Sequence, residues 1–417
     1  MTTDATTRHS RRREDRAPRP SSPRRTWWTG AVALAALTFA THAANFGFTI
    51  AGGRLLPPAD FGTLTALLGI VMVGMAPGMA VQALTAADTL GRPAVIDAPL
   101  ARRLAATIAG IVAVLMLVLG PALETWDPVS VLAVSIAAGL LPLTAANEGL
   151  LQGRSRFAVL GLVLFTGAAV KLAAGIVGMV TTGTVWAAAV AIAVGYAAQL
   201  TLSHRLTGGL ATPVGTARLR LSRTVTTAVV MMALLLVLIH TDAVMARILL
   251  DDLDAGMYAV GTTAMRIVFW APQFVVLLLF PRLVTDPRRR VVAVALGGLT
   301  IAGAVGALAA ALLGPFLADV VGVVFGEQYT AMGPELWRYA WLGTGAVGLQ
   351  ILTLSDLASG RRDALWLLAA ALATIVATLL LVRPDTPVAI VTTVAAIVTG
   401  YVFVGFARRL THATPAD

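Results

Sequence analysis

The side chains of this sequence that could bind or transfer charge are ionisable groups inside long apolar stretches. Lys171, its only lysine, lies near the middle of such a stretch. A charged group in hydrocarbon is costly, so it usually faces a partner or a water-filled cavity. The Lys171 ammonium could hold a phosphate or a saccharide carboxylate, or exchange a proton. The structural alternative is an ion pair with Asp242.

A second polar group interrupts the apolar stretches of the second half. Asp242 lies beside His240, and Thr262, Arg266 and Gln273 are spaced to share one helix face. One hypothesis is a coupling site in which Asp242 takes a proton or a sodium ion while Arg266 meets an anionic substrate. The alternative is a fixed Asp242–Arg266 ion pair, whose loss would destabilise the protein whatever its function.

The first apolar stretch carries a polar stripe. Its members are three or four residues apart and fall on one helix face: Thr38, His42, Asn45 and Thr49. The stripe predicts that this face lines a central cavity, and the alternative is hydrogen bonding between helices. His42 and His240 could titrate near neutral pH, whereas a lone buried histidine is more often a hydrogen-bonded packing residue.

Two acids, Glu148 and Asp356, lie near the predicted inner ends of their helices. Arg154 and Arg361 follow them a few residues later. The simpler interpretation is an ion-paired anchor at the cytoplasmic face. Their corresponding positions in the two halves also suit an inner gate.

Composition excludes several classes of protein. Of the 417 residues, 58% are hydrophobic and only 12% charged, with a mean hydropathy of +0.83. A soluble fold of this length could not cover so much apolar surface. The sequence has no cysteine, no phosphate-binding glycine loop and no metal-ligand cluster. We therefore expect a polytopic membrane protein that is not an enzyme and has no metal or cofactor.

Positioning these residues requires membrane helices. A span needs about 20 apolar residues, which predicts twelve: 28–51, 61–85, 102–123, 128–151, 157–180, 184–204, 224–247, 257–281, 291–314, 334–357, 364–382 and 386–407. Residues 315–335 are predicted to form an outer loop with an interfacial helix. The predicted organisation is a disordered tail (1–26), a first lobe (27–205), an inter-lobe loop (206–223), a second lobe (224–410) and a short tail (411–417).

Arginine placement predicts the orientation. With the N-terminus inside, twenty-five of the 31 basic residues fall in cytoplasmic segments and four, Arg247 among them, in outer segments. This split follows the positive-inside rule, so both termini are predicted to be cytoplasmic. Anionic lipid then accounts for the net charge of +10, and no nucleic-acid partner is needed.

The two halves repeat a motif. Leu55–Gly62 follows the first span and Leu249–Gly256 follows the seventh, with Leu, Leu, Asp and Gly in the same register. An Ala-Pro pair then recurs in the next span of each half, at Ala76 and Ala271. Because each half has six spans, the halves point the same way across the membrane. This predicts an all-α protein of two parallel six-helix repeats, as in two-lobed transporters.

These motifs resemble a known family. Asn45-Phe46 and Leu55–Gly62 resemble the first signature of polysaccharide and O-antigen flippases, in the multidrug/oligosaccharidyl-lipid/polysaccharide exporter superfamily. Asp242, Asp254–Tyr258 and Phe280–Arg282 resemble the second. The resemblance implies a V-shaped pair of lobes, alternating access and export of a lipid-linked oligosaccharide. It also implies a bacterial plasma membrane location, with glycosyltransferases or a polymerase as pathway partners.

The sequence leaves other functions open. A multidrug exporter of the same superfamily is the first alternative. A major-facilitator transporter also has twelve spans, although the loop between the second and third spans lacks its Gly/Asp/Arg motif. A non-transporting scaffold or a glycosyltransferase subunit is the third.

Overall fold

The computed structural model describes residues 23–88, 98–123, 127–208, 223–270, 303, 306–308, 311–359 and 361–412. Within these ranges the chain is helical, without a strand. Nine of the described helices are long and apolar enough to cross a membrane. The prediction of an all-α polytopic membrane protein is confirmed.

The described helices follow the predicted spans closely. The first half contains α1 (Pro23–Leu55), α2 (Pro58–Val71), α3 (Met75–Asp88), α4 (Ala98–Leu119), α5 (Pro128–Gly153), α6 (Phe157–Thr182) and α7 (Val185–Thr207). The second half contains α8 (Arg223–Leu249), α9 (Asp252–Trp270), α10 (Gly314–Phe325), α11 (Leu336–Ser359), α12 (Asp363–Val382) and α13 (Pro387–His412). Most of the ninth predicted span, at 291–314, lies outside the described residues.

The second span is a broken helix. A 3₁₀ turn at Met72–Gly74 separates α2 from α3. Pro77 follows; it has no N–H to donate to the carbonyl of Val73 in that turn, which favours the break. Pro142, in contrast, is accommodated inside a continuous α5. Pro272 lies outside the described residues.

Local sequence determines the tight connections. The Asp127 carboxylate accepts hydrogen bonds from the backbone N–H groups of Val129 and Ser130, at 3.0 and 2.8 Å, and so caps α5. Gly183 adopts a φ of 67° between α6 and α7, a conformation that costs glycine little. The helices α6 and α7 therefore form a tight hairpin.

Each half has its own apolar core. One buried cluster is built almost entirely from α1 to α7, and the other from α8 onward. Large side chains such as Phe39 and Leu381 are 77% and 84% exposed, as expected of a surface that faces lipid. We call α1–α7 the first lobe and α8–α13 the second lobe.

The lobes meet where α2 lies in the groove between α8 and α9. A Cβ on Gly62 would lie 3.0 Å from the Cβ of Ala255, and one on Gly256 would lie 2.9 Å from the Cα of Pro58. The repeated motifs of the two halves therefore pack directly against each other. We call this contact the seam. It lies at the end of the bundle where α1 and α8 finish, the predicted outer end.

Candidate functional site

Lys171 is held within the first lobe, between α1, α6 and α7. Its Nζ donates a 2.5 Å hydrogen bond to Oδ1 of Asn45 and lies 4.9 Å from the centre of the Phe48 ring. A Cβ on Gly195 would lie 2.7 Å from the Lys171 Cβ, so α7 approaches α6 closely here. An amide oxygen and an aromatic face thus compensate part of the cost of burying the ammonium.

Asp242 lies in the second lobe and is 2% exposed. Its Oδ2 accepts a 2.8 Å hydrogen bond from the hydroxyl of Tyr258. Arg266 instead crosses the seam and donates a 3.3 Å hydrogen bond to the backbone carbonyl of Thr65 on α2. Asp242, Arg266 and Lys171 are all described, and no ion pair joins Asp242 to either cation. Neither ion pair that was considered as a structural alternative is present, because each of these side chains has a different partner.

Arg266 lies close enough to Lys171, His240 and Asp242 to interact with each of them electrostatically. We call these four residues the central polar cluster. It joins α6 of the first lobe to α8 and α9 of the second. Counted by residue type, the cluster has two basic side chains, Lys171 and Arg266, and one acidic side chain, Asp242.

Buried polar atoms around the cluster lack partners. Among the described residues, Oγ1 of Thr65, Nε2 of His240 and the hydroxyl of Tyr339 have no hydrogen-bond partner although they are buried. Thr65 is the residue that binds Arg266, and the Tyr339 ring packs edge-on against Tyr258 at 5.3 Å. Buried polar groups are nearly always hydrogen-bonded, so these three atoms need water or a ligand.

The first-helix stripe faces α6 at Asn45, the residue that binds Lys171. The Thr49 hydroxyl donates a 3.3 Å hydrogen bond to the backbone carbonyl of Asn45. His42 is half-buried, and it also interacts with another group. The stripe thus contributes one polar contact to the cluster, at Asn45. Gln273, predicted to line the cavity, lies outside the described residues.

The two inner acids have different environments. Glu148 accepts a 2.5 Å hydrogen bond from Nε2 of Gln199, and among the described residues it has no ion pair, with Arg154 or otherwise. Asp356 pairs with Arg409 rather than Arg361, and Arg361 pairs with Asp363. The ion-paired anchor is present at Asp356, but with an arginine 53 positions further along the chain, because α13 packs against α11 at this end.

At the predicted outer end, Arg247 was counted among the outer charges and is the last residue of the predicted span 224–247. The helix α8 continues to Leu249, and the Arg247 side chain is 5% exposed. Its Nε donates a 2.9 Å hydrogen bond to Oγ1 of Thr63 on α2. Several acidic residues lie at this end. Burial is the main cause that raises the pKa of Asp254, and the negative charges of Asp251 and Asp385 raise it further.

Sequence reasoning missed several partners. Phe48 could have been found, since it lies three residues after Asn45 on the same face of α1. Tyr258, Thr65 and Gln199 could not, because their roles depend on how helices cross. Arg409 was interpreted only as a topogenic charge.

No family model matches this sequence, and no curated protein matches it. Solved structures do. A multidrug resistance MATE family transporter of the MOP superfamily, in an inward-facing conformation, is 14% identical and gives a TM-score of 0.60 over 91% of this chain and 98% of that one. An outward-facing structure of such a transporter gives 0.56 at 14% identity, over 93% and 96%.

A MOP superfamily transporter from Pyrococcus furiosus gives a TM-score of 0.54 at 13% identity, over 94% of this chain and 96% of that one. It is described as having a binding pocket of reversed polarity that suggests a different function. At these identities the comparisons establish the fold alone. The chain has the two-lobed helical fold of these transporters.

Proposed function

We propose that this chain is a secondary transporter that carries a solute across the membrane by alternating access of its two lobes. The observation that carries the proposal is the central polar cluster. It spans both lobes and lies beside their seam, next to buried polar atoms of Thr65 and Tyr339 that have no hydrogen-bond partner among the described residues. Two lobes that part at such a seam would expose the cluster to one side and then to the other.

The multidrug transporters that share the fold favour export of small amphiphilic molecules over flipping of a lipid-linked oligosaccharide. Fold alone does not define the substrate, however, because function resides in the site. Lys171 and Arg266 outnumber Asp242 in the cluster. An amphiphilic anion therefore fits this site better than an organic cation does.

A lipid-linked oligosaccharide is the second candidate. Its diphosphate would find two cations in the cluster, and its sugars would find the unpartnered groups of Thr65, His240 and Tyr339. In that case glycosyltransferases and a polymerase would supply and consume the substrate at the membrane.

The test uses the purified full chain in proteoliposomes with an imposed proton or sodium gradient. We expect gradient-driven movement of a fluorescent amphiphilic anion and little movement of ethidium, an organic cation. Lys171→Met and Arg266→Met should abolish anion transport, and Lys171→Arg should retain part of it. Arg338→Met is the matched control, since Arg338 pairs with Glu335 at the start of α11.

Any other transport result would either refute part of the proposal or select the second candidate substrate. Movement of ethidium but not of the anion would refute the assigned substrate charge. Movement of a fluorescent polyprenyl-diphosphate sugar alone would select the second candidate. Failure of all three reporters under both gradients would refute secondary transport.

A further inference from the structure

The predicted outer end of the seam contains a buried arginine, Arg247, that contacts both lobes. Nε of Arg247, on α8, donates to Oγ1 of Thr63 on α2, and Nη2 lies 3.6 Å from Oδ1 of Asp252 at the start of α9. Thr63 belongs to the first lobe and Asp252 to the second. The guanidinium is buried, whereas the Asp252 side chain is 69% exposed.

Thr63 connects this contact to the rest of the first lobe. Its hydroxyl donates a 3.3 Å hydrogen bond to the carbonyl of Leu123, beyond the end of α4. The same oxygen accepts from Arg247, so both hydrogen-bonding roles of one hydroxyl are used. Arg247 therefore ties α8 to α2 and, through Thr63, to the end of α4.

A cavity of about 490 Å³ lies next to this tie. Arg247, Asp251 and Asp252 line it together with Ala122 of the first lobe. Because the two acids are exposed, the cavity places solvent and negative charge beside a guanidinium that is otherwise buried.

We propose that Arg247 is the outer latch of the transporter: its hydrogen bond to Thr63 locks the seam, and when that bond breaks Arg247 keeps its ion pair with Asp252. Opening a seam across a buried ion usually leaves an unpaired charge, which is strongly unfavourable. Here the acid belongs to the same lobe as the arginine. The guanidinium therefore keeps an acidic partner after the bond to Thr63 is lost.

The latch rests on the proposed alternating access, but its test measures the seam itself. A Val244→Cys variant reports opening, because this residue lies one turn inward of Ile248 and packs against the core of the first lobe. The chain has no cysteine of its own, so the introduced thiol is the only one present. A membrane-impermeant thiol reagent reaches it from outside only when the seam parts. The labelling rate in intact cells is the measurement.

Two variants should move that rate in opposite directions. Thr63→Val removes the acceptor in the first lobe and keeps the side-chain shape, so labelling should become roughly tenfold faster, the size expected for losing a hydrogen bond to a charged group. Asp252→Asn removes the acid that would remain paired with Arg247 once the bond to Thr63 is broken, so labelling should become slower. Asp254→Asn is the matched control, since that acid lies two residues away and forms no ion pair with Arg247 among the described residues.

Thr63→Ser retains the hydroxyl and should label at the original rate, which separates loss of the bond from general disruption of α2. Equal labelling of Thr63→Val and Thr63→Ser would overturn the latch, as would an unchanged rate in Asp252→Asn. Either result leaves the transport assay intact, and failure of transport with the expected labelling would overturn the proposed function alone.

Discussion

The Asp356–Arg409 pair gives the sharpest prediction for stability. Asp356 is 1% exposed, and its two oxygens accept from Arg409 and, at 2.6 Å, from the backbone N–H of Ala364. Arg409→Ala would leave the carboxylate buried without a cation. Breaking a buried pair in this way costs about 3–5 kcal/mol. Since Arg409 is 23% exposed and the Ala364 N–H remains, we expect a cost near the lower end, about 3 kcal/mol.

The assay is thermal unfolding of detergent-solubilised protein, together with its abundance in the membrane. Arg361→Ala is the matched control, because Arg361 and Asp363 form an ion pair with both side chains exposed. Such exposed pairs contribute little to stability, because water and salt screen the attraction. Adding Asp356→Asn to Arg409→Ala removes the buried charge and should restore much of the loss. Equal damage from the Arg361 and Arg409 variants, or no rescue, would refute the reasoning.

The same double variant tests the predicted inner gate. Both partners of the pair lie in the second lobe, on α11 and α13. A contact within one lobe does not have to break when the lobes part. We therefore expect the stable double variant to transport normally. Loss of transport in a folded double variant would restore a gating role for Asp356.

Three further predictions concern the seam, the first-lobe cation and the orientation. Gly256→Val should destabilise the protein by about 1–3 kcal/mol, because its Cβ would lie 2.9 Å from the Pro58 backbone. Gly110→Val is the control and should not destabilise it, because the space around Gly110 is open. Thermal unfolding of the two variants is the measurement. Asn45→Leu should lower the unfolding temperature by removing the acceptor of Lys171, and the added change Lys171→Met should recover it. In intact cells, the thiol introduced by Thr182→Cys should react with an impermeant reagent and the thiol introduced by Ser155→Cys should not; the opposite pattern would reverse the predicted orientation.

The helices could be predicted from sequence because the lipid environment restricts the backbone conformations that a spanning segment can adopt. A spanning segment must satisfy its own hydrogen bonds and be apolar along its length, and both properties can be read residue by residue. The short helix Gly314–Phe325 was predicted for the same reason, as an apolar segment too short to span. The motif Leu55–Gly62 and its repeat marked the seam, although their mutual contact was not foreseen.

Side-chain partners could not be predicted in the same way. Asp242 was assigned to Arg266 because opposite charges at similar depth are expected to pair, yet the nearer group is the Tyr258 hydroxyl. Arg247 was counted only as an outer charge, whereas its buried side chain binds Thr63 on α2. In each case the partner depends on rotation and crossing of helices, which periodicity does not determine.

The reciprocal contact of the repeated motifs has a consequence for the ancestry of the fold. Gly62 meets Ala255, and its counterpart Gly256 meets Pro58, so each copy of the motif packs against the other copy. In an isologous contact, one surface is complementary to itself about a two-fold axis. Fusion of two copies of a six-helix unit that associates through this motif would produce such an arrangement, with only the linker added.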